Sequence, residues 1–65
     1  MELIKTTIGT ARLLTDDGMY MEDLNLGIVR TYPLLTANQI DDLRIGYSTP
    51  ITDDQVNSIK ELAGV

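Results

Sequence analysis

Adjacent acidic residues are the groups in this chain whose types and spacing could support chemistry. They form four pairs, namely Asp16-Asp17, Glu22-Asp23, Asp41-Asp42 and Asp53-Asp54. Paired carboxylates can bind a hard cation or act as general acid and base. The pair before Gly18, however, lacks the alternating oxygen ligands and closing glutamate of a calcium loop, and sequence neighbours on a helix diverge by about 100°. We therefore predict structural or solvent-facing roles for these acids and no metal site.

Other catalytic groups are scarce in the chain. It contains no histidine and no cysteine, so a serine or threonine nucleophile would need Lys5 or Lys60 as its base. No glycine-rich segment is followed by Lys-Ser or Lys-Thr, the arrangement that binds nucleotide phosphates. A chain of 65 residues also has difficulty enclosing a ligand pocket of about 300 Å³ or more. The sequence predicts a non-enzyme with no catalytic residues and no bound cofactor.

Tyrosine and methionine residues are the strongest indication of a binding surface. Both types are enriched where proteins contact one another, and the chain has no Phe or Trp to form a bulky core. Met19, Tyr20 and Met21 directly follow a predicted turn, while Tyr32 and Tyr47 flank the first predicted helix. We take all five as candidate interface residues. The alternative is that Met19 and Met21, or Tyr20, form the inward face of a hairpin.

The excess of acidic side chains limits the classes of partner. Ten acids against five bases give a net charge of −5, which disfavours unassisted binding to nucleic-acid phosphates or an anionic membrane. A basic protein partner would suit Asp41, Asp42, Asp53 and Asp54, our candidate acidic contacts, and the alternative is acidity that serves only solubility. No signal peptide or bilayer-spanning segment is predicted. With the absence of cysteine, this favours a cytoplasmic location, in the host cell if a virus encodes the chain.

The second half of the chain contains one local sequence pattern that occurs twice, sixteen residues apart. The segment from Leu35 to Ile40 reappears as the segment from Ile51 to Val56. In each copy a threonine and the glutamine three residues later form a capping box, and the flanking apolar residues form a hydrophobic staple. The pattern predicts two helix starts.

The first half of the chain has the composition of β-strands. Threonine and aliphatic residues run from Glu2 to Thr15, and Gly9 interrupts them, so this segment is either one bent strand or two short strands. Asp16-Asp17-Gly18 predicts a tight turn that pairs roughly residues 10–15 with residues 19–23. For residues 19–32 both strand and helix patterns exist. Ile28-Val29 favours a third strand over about residues 26–31.

Two helices are predicted for the second half. The first runs from Ala37 to about Ile45 and ends at Gly46 in a left-handed conformation. Residues 47–50 form a connector, and the second helix spans residues 53–63 with Gly64 ending it.

These elements predict one α+β domain over residues 1–65. In it, a small antiparallel sheet of two to three strands from residues 1–33 packs against two helices from residues 34–65. Such a short chain has a small core, and oligomerisation is the remaining common way to bury more surface, so we expect a homodimer or a larger homo-oligomer. The predicted core comprises Ile4, Ile8, Leu13, Leu24 and Ile28 from the sheet, and Ile40, Leu43, Val56, Ile59 and Leu62 from the helices.

Composition and pattern favour a small acidic interaction module that binds a larger protein. This profile is shared by many inhibitors and regulators encoded by viruses or mobile elements, by analogy of size and charge. A structural subunit of a virion or other assembly, joined by strand addition at the sheet edge, is one alternative. A helix-turn-helix transcriptional regulator is another, although its second helix would begin with Asp53-Asp54, which repel phosphates.

Overall fold

A computed structural model describes residues 1–65 as an α+β fold, in which one face of a four-stranded antiparallel sheet is covered by helices. The strands lie in the order β3-β2-β1-β4. The elements are β1 Glu2–Lys5, β2 Thr10–Leu14, β3 Met21–Gly27, a 3₁₀ helix Ile28–Leu34, α1 Ala37–Ile45, β4 Ser48–Pro50 and α2 Asp53–Ala63. The predicted class is confirmed, with one more strand and one more helical segment than the sequence analysis expects.

The first two strands form a hairpin around Gly9. Gly9 has φ +87°, a conformation that glycine adopts at little cost. The amide of Thr10 donates to the Thr6 hydroxyl at 3.0 Å, which fastens the turn. Of the two interpretations of this segment, two short strands is the one found. Leu3 lies opposite Leu13 in the pairing.

The predicted hairpin pairing of residues 10–15 with residues 19–23 is confirmed, but β3 continues to Gly27 and is irregular. Arg12 pairs with Asp23, but Thr10 pairs with Gly27, so β3 contains extra residues at this point. Asn25 lies among these extra residues and has a positive φ of +51°. The predicted strand over residues 26–31 is wrong, because the chain turns into the 3₁₀ helix at Ile28.

Side-chain hydrogen bonding and proline explain that 3₁₀ helix. Within it the buried Thr31 hydroxyl donates to the carbonyl of Ile28 at 2.6 Å, a bond back along the turn that competes with strand pairing. Pro33, which has no amide hydrogen to donate, lies in the next turn. Local bonds of this kind outweigh the strand preference of Ile28 and Val29.

Both predicted capping boxes are present, and they interlock. The Thr36 hydroxyl accepts from the backbone amide of Gln39, and the Thr52 hydroxyl accepts from the backbone amide of Gln55, each at 3.2 Å. The two glutamine side chains also donate to each other, at 2.8 and 2.7 Å. Their side-chain nitrogens also donate to the backbone carbonyl directly before the opposite copy, Gln39 to Pro50 and Gln55 to Leu34. The repeated pattern therefore joins the starts of α1 and α2 directly.

The segment between the two helices differs from the prediction. Gly46 is extended, with φ −130° and ψ −157°, and is not left-handed. The chain leaves α1 directly into β4, where Thr49 pairs with Leu3 of β1. Residues 48–50 are therefore a fourth strand and not a connector. The predicted end of α2 at Gly64 is confirmed, and Gly64 is left-handed with φ +80°.

The core lies between the helices and one face of the sheet. Its buried members are Leu3, Ala11, Leu13, Leu24, Leu26, Ile28, Leu43, Ile51, Val56 and Ile59. Four predicted core residues lie elsewhere: Ile4 and Ile40 are only half-buried, and Ile8 and Leu62 are exposed. Ile4 is displaced because alternate strand residues face opposite sides, and Leu3 takes the helix-facing side of β1. Ile8 is displaced because it lies in the β1–β2 turn.

The folded chain exposes the surface expected of a compact monomer. Its accessible surface is 4139 Å², close to the value of about 4,100 Å² that the size scaling gives for this mass. Binding surfaces have to be sought in local groups of exposed side chains.

Candidate functional site

The paired acids do not converge on a common centre. Glu22 and Asp23 point to opposite faces of β3, where Glu22 lies 3.5 Å from the Lys60 ammonium and Asp23 bonds the Arg12 guanidinium. Asp42 accepts from the Thr49 hydroxyl at 2.9 Å. No group of three or more acidic side chains has the arrangement that would hold a metal ion.

Three adjacent apolar side chains project from the end of the β2–β3 hairpin. Met19, Tyr20 and Met21 are 84%, 56% and 49% exposed. None of them faces the core, so a purely inward-facing hairpin does not account for them. We call Met19, Tyr20 and Met21 the apolar knob. Exposed large apolar side chains that cluster at one place on a fold are typical of interaction sites.

Hydrogen bonds hold the turn that presents the apolar knob. The Asp17 carboxylate accepts from the Thr15 hydroxyl at 2.7 Å and from the Met19 amide at 3.0 Å. The Thr15 amide donates to the Tyr20 carbonyl at 3.1 Å. Gly18 completes the turn with φ +72°. The knob is therefore presented by a fixed turn, which lowers the entropy cost of binding through it.

The same turn makes the stability of the protein sensitive to acid. The bonds from Thr15 and from the Met19 amide lower the pKa of Asp17 below its ordinary value of 3.8. The stabilisation is therefore present above pH 3.8 and is lost as the pH falls through the lowered pKa. We expect Asp17→Ala to lower the melting temperature more at pH 7 than at pH 2. Equal losses at both pH values, measured by circular dichroism, would contradict this assignment.

Five carboxylates lie at the same end of the sheet as the apolar knob. Glu2 lies in the same cross-strand row as Met21, two strands away, and Asp16 pairs with the amino group of Met1 at 2.5 Å. The Met1 carbonyl accepts from the Ile51 amide at 3.0 Å, which brings the start of α2 to this end of the sheet. We call Glu2, Asp16, Asp17, Asp53 and Asp54 the acidic rim.

The predicted interface residues are only partly brought together. Tyr32 is half-buried and packs against the core. Tyr47 lies at the other end of the sheet, where its carbonyl accepts from the Lys5 amide at 2.7 Å, and its ring centre is 5.6 Å from the Lys5 ammonium. Among the predicted acidic contacts, Asp53 and Asp54 belong to the acidic rim, whereas Asp41 and Asp42 lie on α1.

A second concave feature lies between the 3₁₀ helix and α2. This open groove has a volume of about 420 Å³ and is lined by Arg30, Pro33, Leu34, Ser58, Glu61 and Leu62. Arg30 forms no ion pair there. We call these six residues the α2 groove. Nothing in the sequence predicts it, because its walls are 24 residues or more apart in the chain, from Leu34 to Ser58.

Both edges of the sheet are poorly suited to strand addition. At one edge, β3 carries Glu22 and Asp23 and is interrupted at Asn25. At the other edge, β4 has only three residues and ends in Pro50. Charge, irregularity and proline are features that protect edge strands from pairing with another chain. Contacts between side chains are the better route to association.

No family model matches the chain. Comparison with curated proteins and with solved structures likewise found none that is significantly similar. Its longest helix, α2, has 11 residues, and no helix has the length and apolar character needed to cross a membrane.

Proposed function

We propose that this protein is a non-catalytic interaction module that binds a larger protein through the apolar knob and the acidic rim. The observation that supports the proposal is the exposure of three consecutive large apolar side chains at the end of the sheet that also carries five carboxylates. Tyrosine and methionine supply contact area at such sites, and surrounding charges set orientation and partner choice. An inhibitor or regulator that occupies a surface of its target would act in this way.

The partner chemistry follows from the charges. The acidic rim carries carboxylates from β1, from the hairpin turn and from α2, and the one cation among them is the amino group of Met1, which Asp16 engages. A complementary surface would present lysine or arginine around an apolar depression. Such a contact gains speed of association from electrostatic steering and is weakened by salt.

The other two functional hypotheses gain less support. A helix-turn-helix regulator needs a turn between its helices, whereas here strand β4 lies between α1 and α2. A structural subunit joined by strand addition would have to pair a protected edge. We therefore do not propose either function.

The test is affinity capture from a lysate of the native host with a matched pair of variants. Tyr20→Ser/Met21→Ser removes most of the apolar knob, and the control Val29→Ser/Ile45→Ser removes two exposed apolar residues outside it. We expect the first variant to recover at least about tenfold less partner, because knob contacts of this kind contribute about 1–2 kcal/mol each. The control should recover the partner as the wild type does.

Two controls complete the test. Surface substitutions of this kind change stability by only about 0.5 kcal/mol, so both variants should melt near the wild type. Raising the salt concentration from about 0.05 to about 0.5 M should release the partner. Equal recovery by the two variants, or no stoichiometric partner for the wild type, would refute the proposal.

A further inference from the structure

The α2 groove has the composition of a binding site for an apolar side chain that carries a nearby carboxylate. Pro33, Leu34 and Leu62 provide its apolar wall, and Arg30 stands at its side without an ion-pair partner. The protein has five basic side chains, and Arg12 and Lys60 are already engaged by Asp23 and Glu22. Arg30 is therefore a free cation beside an apolar surface on an otherwise acidic protein.

We propose that the α2 groove binds the apolar knob of a second copy of this chain. A groove of about 420 Å³ has room for the Tyr20 ring and a flanking methionine. Asp16 and Asp17 directly precede the knob, so a docked turn brings their carboxylates towards Arg30. The Tyr20 hydroxyl is a hydrogen-bond donor, which suits the carboxylate of Glu61 on the same groove.

Charge complementarity favours this occupant. Two copies with a net charge of −5 repel each other over most orientations. An orientation that places the acidic rim against an unpaired cation relieves that repulsion locally. Of the unpaired cations Lys5, Arg30 and Arg44, only Arg30 lines this groove, where Glu61 is the one acidic side chain. The knob and the groove share no residue, so the contact is heterologous unless two copies dock reciprocally.

The contact is small, and its strength follows from its size. It buries less than the roughly 800 Å² per partner of a standard stable interface. Self-association should therefore appear only at high concentration, on the order of 100 µM. This inference shares the knob with the proposed function, but the groove belongs to the inference alone.

The experiment is sedimentation velocity at about 20 and about 500 µM in low salt, chosen around the association range expected for so small a contact. The knob variant is Met19→Ser/Tyr20→Ser, and the groove variant is Arg30→Glu/Ser58→Glu. We expect the average mass of the wild type to rise with concentration and each variant alone to remain monomeric. An equimolar mixture of the two variants should associate again, because one retains the knob and the other retains the groove.

A matched control separates the groove from net charge. Arg44→Glu/Asn57→Glu makes the same change in net charge on residues that do not line the groove. We expect its association constant to be within about threefold of the wild-type value, because distant screened charges have small effects. The association constant of the groove variant should be at least tenfold lower than that of this control. Circular dichroism of every variant verifies that the fold is intact.

Three outcomes would overturn the inference. They are a wild type that stays monomeric at both concentrations, a groove variant that associates like its control, and a variant mixture that stays monomeric. Failure of the proposed function is recognised separately, by affinity capture of the larger partner and not by sedimentation. If the α2 groove serves only self-association, the groove variant keeps its capture of the larger partner, whereas the knob variant loses both activities.

Discussion

Replacing Ile59 with alanine should lower the free energy of unfolding by about 2–5 kcal/mol. Ile59 is on the core side of α2 and is 0% exposed, so the substitution leaves a cavity among close-packed side chains. Small domains have a total stability near the lower end of about 5–15 kcal/mol. The variant should therefore be partly or largely unfolded at 37 °C.

Leu62 provides the matched control on the same helix. It lies three residues further along but is 38% exposed, so Leu62→Ala should cost about 1 kcal/mol. Thermal unfolding by circular dichroism should show melting temperatures that differ between the variants by roughly 4–8 °C for each kcal/mol. Equal losses for the two variants would show that α2 packs differently from the structure described here.

The Gln39–Gln55 pair should also be sensitive to substitution, through hydrogen bonds and not through apolar packing. The side-chain oxygen of each glutamine accepts from the backbone amide of the threonine in its own capping box. It also accepts from the side-chain nitrogen of the other glutamine. Each amide nitrogen donates to the other glutamine and to a backbone carbonyl, so the full capacity of both side chains is used. We expect Gln39→Ala to cost about 1–3 kcal/mol, because it also leaves groups of Gln55 and Pro50 unpaired.

A double-mutant cycle tests the interlock. Gln55→Ala alone should cost a similar amount, and Gln39→Ala/Gln55→Ala should cost less than the sum by about 1 kcal/mol, since both single changes break the same reciprocal bonds. Thr36→Ala paired with Gln55→Ala is the control, because Thr36 bonds only within the first capping box. Additive losses for the two glutamines, measured by urea unfolding, would show that the boxes act independently.

Local hydrogen bonding made the helices predictable from the sequence. The capping boxes at Thr36 and Thr52 involve residues three apart, so their chemistry is complete within one turn. The end of α2 at Gly64 and the hairpin turn at Gly18 depend on the positive φ that glycine permits. The bounds of both helices and the position of the turn accordingly agree with the structure.

Pairing between distant segments decided the elements that the sequence does not predict. Strand β4 has only three residues and no pattern of its own, and it exists because it can pair with β1. The faces of β1 depend on which residues lie opposite Leu13 and Thr49, and a shift of one residue would exchange Leu3 and Ile4. Neither choice is encoded within the segment itself.

The sequence alone determined the α+β class, the two helix starts, the turn and the exposed group of methionines and tyrosine as a candidate surface. Each of these depends on residues within a few positions of one another. Only the tertiary structure decided which carboxylates lie at the same end of the sheet as Tyr20 and where the α2 groove lies, since the acidic rim and the groove walls join segments distant in the chain. Their proximity results from sheet register and helix packing, which depend on all the elements at once.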